Sequence, residues 1–149
     1  MKRLALLLLA AAPLAAAAAT FRVDDSATLP SEANTPMQWR SLAPNRVAGN
    51  AVDGTSVFTV RLNTAPWLNK SGRIYMALAE QPIGTVTAEW STQGRLLPGS
   101  LVSGNRTLVY SGPIRTPLLE DTIALRISAD GRRLVSPQRL QFYFEIDVD

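Results

Sequence analysis

The sequence predicts an all-β fold, an antiparallel sandwich or barrel with one apolar face on each sheet. Three observations carry this. Stretches of five to eight residues alternate apolar and polar side chains with period two, turn residues separate them at short spacing, and no segment has helical periodicity. The closing stretch LQFYFEIDVD is the most regular, with Leu140, Phe142, Phe144, Ile146 and Val148 on one side.

Residues 1–19 come first and read as a secretory signal. MKR supplies a basic start, LALLLLAAAPLAA an apolar centre, and the alanines after it A-x-A sites, with the cut expected after Ala19 or, alternatively, after Ala17 or Ala18. The apolar run is shorter than the roughly 20 residues a membrane span needs, and no later segment reaches that length. Cleavage takes two of the 15 basic groups, against 12 acidic ones, so the mature chain is close to neutral. With no Lys/Arg cluster beyond Arg132-Arg133, nucleic-acid binding has no footprint. The chain holds neither cysteine nor histidine. Disulfides, Cys/His zinc sites and nucleophile systems built on Cys-His or Ser-His-Asp are therefore excluded.

After the polar, turn-rich segment 20–36, which opens with TFRV, MQWRSL (37–42) reads as a short strand and NRVAGNAVDGTS as a loop. SVFTVRL (56–62) is a strand, broken at Pro66, which lacks an amide proton. RIYMALA (73–79) is apolar on both faces and suits a central strand; TVTAEWS (85–91) alternates again. PGSLVSGN reads as turn, RTLVY (106–110) as strand and SGPIRTPLLED as an irregular crossing. TIALRIS (122–128) is a strand, ADGRR a hairpin turn, and the terminal strand follows.

Acid–base chemistry would have to come from carboxylates. Asp24-Asp25, whose neighbouring side chains would point to opposite faces of a strand and so not share a proton, and Glu120-Asp121, which precedes a strand after a proline-rich crossing, both read as solvated turn residues. Glu145, Asp147 and Asp149 lie two apart on the last strand, a solvent face that discourages edge pairing rather than a cation site. Trp90 is expected in the core, Trp39 in the core or a groove, and Trp67 plugging one end. The acceptor-like tripeptides at Asn69 and Asn105 read as loops. No enzyme activity and no cofactor are expected.

Several stretches resemble the CS1-type fimbrial major subunits, also called alpha or class 5 pilins, which an alternate chaperone–usher system assembles. SVFTVRLNTAPWL (56–68) is similar to the family's strand ending in alternating V-x-L, followed by a polar piece, Pro66 and Leu68. MALAEQPIGTVTAEWSTQGRLL (76–97) is similar to its apolar-Pro-Ile strand, through Pro82, Ile83, Val86, Trp90 and Gly94. RTLVYSG (106–112) and SPQRLQFYFEIDVD match in position and alternation. The resemblance covers most of residues 50–149, and the family is also cysteine-free.

It implies an immunoglobulin-like sandwich lacking its final strand, spanning 33–149, with an N-terminal extension (20–32) that is donated to a neighbouring subunit. The implied donor residues are Phe21, Val23, Ala27 and Leu29. The implied acceptor and chaperone edge is Leu140, Phe142, Phe144, Ile146 and Val148. Partners would be like or related pilin subunits, a periplasmic chaperone and an outer-membrane usher, with export through the periplasm to a surface fimbrium. Asp25 departs from the donor pattern, falling where an apolar side chain should enter; a bulge, an insertion ending at Val23, or atypical pairing would each accommodate it. The competing expectation is a periplasmic or secreted sandwich that binds a protein or glycan and keeps residues 20–29 in its own sheet or disordered.

Overall fold

The computed structural model describes residues 18–29, 35–41 and 49–149. Among the described residues nine strands form two antiparallel sheets: β1 (Ala19–Val23), β2 (Gln38–Trp39), β3 (Ala51–Asn63), β4 (Ser71–Leu78), β5 (Thr87–Thr92), β6 (Gly99–Val102), β7 (Arg106–Pro113), β8 (Leu118–Asp130) and β9 (Phe142–Val148). One sheet runs β1-β9-β4-β7 and the other β2-β3-β8-β5-β6. Residues 1–17 of the expected signal, 30–32 of the expected extension, 33–34 at the start of the expected sandwich, Leu42 of the expected short strand and 43–48, which include the start of the expected loop, lie outside the described residues. Among those described, no helix is long and apolar enough to cross a membrane.

Alternation builds the core. In β3 the even positions Val52, Val60 and Leu62 turn inward, and β8 answers with Leu119, Ile123, Leu125 and Ile127. The two strands pair without interruption from Ala51 opposite Asp130 to Asn63 opposite Leu118. The other sheet supplies Ile74, Met76, Val109, Phe144 and Ile146 to the same cluster. Trp90 is buried as expected, its indole N–H donating to the Leu97 carbonyl at 3.0 Å. Trp67 is buried in a short 3-10 turn, Ala65–Trp67, and Trp39 is half-exposed.

Several expectations are corrected. The strand read at 56–62 begins at Ala51, so the Asp53-Gly54 pair lies inside β3 rather than in a loop. Gly54 faces inward beneath Met37, where a Cβ would come within 2.5 Å of the Met37 sulfur, so glycine makes room for a close approach and marks no turn. PGSLVSGN, read as turn, contains β6, whose Leu101 is buried opposite Ala88. SGPIRTPLLED, read as a crossing, gives its first residues to β7 and Leu118–Asp121 to β8. The 37–42 strand is limited to Gln38–Trp39 among the described residues.

Asp121, read as solvated, is buried, because it shares the inward parity of Leu119 and Ile123. Its carboxylate accepts backbone N–H groups from Gln93 (3.2 Å), Gly94 (2.8 Å) and Leu96 (2.8 Å), which ties the connection after β5 to the middle of the sandwich. Asn69 and Asn105 sit exposed between strands as expected, Asn69 at φ 64°.

Candidate functional site

β9 is the strand on which the N-terminal residues meet the rest of the chain. Its inner side carries Phe144, Ile146 and Val148 into the core, with Phe142 half-buried, while Leu140 lies before the strand and packs against the core. β4 pairs along one edge, from Gly72 opposite Val148 to Leu78 opposite Phe142. β1 pairs along the other, from Ala19 opposite Val148 through Phe21 opposite Ile146 to Val23 opposite Phe144. Both edges of the terminal strand are thereby covered within one chain.

The hold on β1 is slight by comparison with its length. Val23 alone among its residues is buried, which contributes about 1.5–3 kcal/mol. Phe21 stays 46% exposed and leans on Trp67 with ring centroids 6.0 Å apart. Beyond the backbone ladder, the rest of the grip lies on the outward side. Thr20 donates its hydroxyl to Asp147 Oδ1 at 2.6 Å. Arg106, on β7, reaches across β4 to the same carboxylate at 3.1 and 3.3 Å and to Glu145 at 3.2 Å. Its guanidinium lies over the Tyr75 ring, 4.1 Å from the centroid, and Arg22 lies over Tyr143 at 4.0 Å.

These contacts correct the reading of Glu145, Asp147 and Asp149 as a bare solvent face. Asp147 is 8% exposed, and Asp149 pairs with Arg73 at 3.6 Å. The Thr20 hydroxyl and the Arg106 guanidinium hold the Asp147 carboxyl below its usual range against the opposing effect of desolvation, and Asp147 in turn raises Arg106. Among the described residues no group of His, Cys, Asp or Glu is placed to hold a metal ion.

After Val23 the chain leaves β9 and crosses to the other sheet. Asp24 bridges Asn63, a turn closes from the Thr28 amide to the Asp25 carbonyl (2.9 Å), and Leu29 exchanges two backbone bonds with Thr59 at 2.7 and 2.9 Å. Ala27 and Leu29 are both exposed and have no partner on β9, so the four expected donor side chains divide: Phe21 and Val23 on β9, Ala27 in the turn and Leu29 beside β3. Within this chain the β9 ladder ends at Val23. Asp25 itself is half-buried in the crossing, and desolvation raises its carboxyl.

A second anchor follows. The Thr35 and Ser56 hydroxyls bond to each other, Met37 covers Gly54, and the Trp39 ring lies where a Cβ on Gly131 would come within 2.6 Å. Arg40 grips Asp53 through two bonds at 2.8 and 2.9 Å; Arg126 and Ser128 join it, and together they hold the Asp53 carboxyl far below its usual range.

Sequence parity places Thr20, Arg22, Glu145 and Asp147 on outward faces, but it does not show that Arg106, two strands from β9, closes the cluster. No family model, curated protein or solved structure matches the chain.

Proposed function

We propose that this is an exported structural subunit, an immunoglobulin-like sandwich completed by an N-terminal strand. Copies of it polymerise into a fimbria when β1 of one copy docks on β9 of the next. The observation that carries the reading is the pairing of β1 with the C-terminal strand through only five residue pairs and one buried side chain. Such a strand is inexpensive to release, and the edge it uncovers presents backbone groups that a second copy of the same strand satisfies equally well. A periplasmic chaperone would cover that edge before assembly, and an outer-membrane usher would mediate the exchange.

A second reading is a self-contained binding module of the periplasm or cell exterior. It is favoured by the fact that β1 lies on β9 of its own chain.

The two readings separate on one experiment. An isotopically light copy carrying a photoreactive phenylalanine analogue in place of Phe21 is mixed at high concentration with heavy copies. Light-activated links to the β9 peptide of heavy chains are expected for a polymerising subunit. Links confined to the light chain at every concentration and incubation time would leave the binding module.

A further inference from the structure

We infer that the outward row of β9, Tyr143–Glu145–Asp147, chooses the strand docked beside it by chemistry: it takes a strand reading hydroxyl–apolar–cation–apolar, supplied by residues 20–23 of a second copy of this chain. The inference rests on the polymerising reading for the source of the strand, and on the geometry of this face for its chemistry.

The inner side makes few demands, because Val23 is seated and Phe21 remains half outside. Discrimination on the outer side is strict. Asp147 is buried with both oxygens oriented by Arg106, which is itself fixed over Tyr75, so Oδ1 is aimed at the position Thr20 occupies. An aliphatic side chain there withdraws that donor, and a carboxylate places like charges together. Two residues along, Arg22 faces Glu145 and lies over the Tyr143 ring, the arrangement that favours a cation and opposes an acid.

The same chemistry fixes the register. Sliding β1 by two residues in one direction sets Asp24 against Glu145; sliding it in the other moves Thr20 away from Asp147 to Glu145. The observed pairing sets the hydroxyl on the Arg106-oriented Asp147 carboxylate and the cation opposite Glu145 over the Tyr143 ring.

The test is residue-resolved amide exchange across β1 and β9 in the full chain, for the parent, Thr20→Ser, Thr20→Val, Arg22→Lys and Arg22→Glu. Thr20→Val and Arg22→Glu are expected to speed exchange along β1 by about tenfold. Thr20→Ser and Arg22→Lys should stay within about threefold of the parent, and β3 and β8 should be unaffected in all four. A synthetic peptide of residues 18–29, added in excess to the Arg22→Glu chain, is expected to restore protection to β9, and the same peptide carrying Arg22→Glu is not.

Parent-like exchange in Thr20→Val and Arg22→Glu would overturn the selection itself, whichever copy supplies the strand. Equal restoration by both peptides would do the same. Selection within the chain with no restoration by the native peptide would overturn the second copy as occupant. Since the photochemical mixing experiment leaves residues 20 and 22 intact, it scores exchange separately from selection.

Discussion

β1 and β8 are both strands of one sandwich, yet they are held in opposite ways. β8 is 13 residues long, pairs along its whole length with β3 and also with β5, and turns five side chains into the core or, at Asp121, onto a loop. β1 is five residues long, has one partner strand among the described residues, buries one side chain and is otherwise held by its short backbone ladder and by polar contacts on the outward face. Removing β8 dissolves the core, whereas removing β1 uncovers an edge. Within one fold, the first arrangement is built into the core and the second rests on its edge.

Substitutions should reproduce that contrast. Leu125→Ala in β8 is expected to lower global stability by about 2–5 kcal/mol, read as a shifted denaturation midpoint with exchange accelerated everywhere. Loss of protection restricted to β8 would break the comparison. Asp121→Ala, which orphans amides at Gln93, Gly94 and Leu96, should cost about 2–4 kcal/mol, with Asp121→Asn milder because one acceptor oxygen remains. Val23→Ala is expected to cost about 2 kcal/mol at β1, with β3 and β8 amides unchanged; spreading of the loss to those strands would show that β1 belongs to the cooperative core.

Titration sharpens the same distinction at smaller amplitude. Asp147 has a depressed carboxyl in the folded chain, so its contribution is complete above the unfolded value near pH ~3.9 and is lost as pH falls through the folded value. Protection of β1 should therefore be flat from neutrality down to about pH 5 and collapse only in stronger acid. Asp25 has the opposite sign. Its raised carboxyl favours folding at low pH and loses that benefit as pH rises through the folded value. Asp25→Asn should then steady the crossing at neutral pH, by a few tenths of a kcal/mol after solvent screening.

Much of the fold was legible in alternation. Phe58, Val60 and Leu62, or Ile123, Leu125 and Ile127, announce a face because their strands are half-buried and the side-chain period is two. Strand ends were misread where a local signal carried a different meaning. Gly54 resembles a turn residue but serves as a slot for Met37, and Gly99 begins β6 beneath Trp90. Asp121 had the parity of a core residue, and its polarity concealed it, because the amides that satisfy it come from a loop 25 to 28 residues earlier in the chain.

For the candidate site, the apolar positions Phe21 and Val23 were legible, and so was the terminal strand. The Arg106 bridge to Asp147 was not, since it joins β7 to β9 over the intervening β4 and depends on the order of strands across the sheet. The departure of Ala27 and Leu29 from β9 was signalled only by Asp25, which interrupts the apolar parity that Phe21, Val23, Ala27 and Leu29 otherwise share; the chain changes sheets after Val23.

The pairing of Ala19 with Val148 has a mechanical consequence. β1 and β9 lie together like the two arms of a hairpin whose turn has been cut. Tension applied at Ala19 against Val148 parts the five pairs one after another, as a zipper opens. Tension entering β1 from its other end, through Asp24, runs along the strand and strains all five pairs at once. The same short strand therefore yields readily to a pull from its tip and resists one from its root.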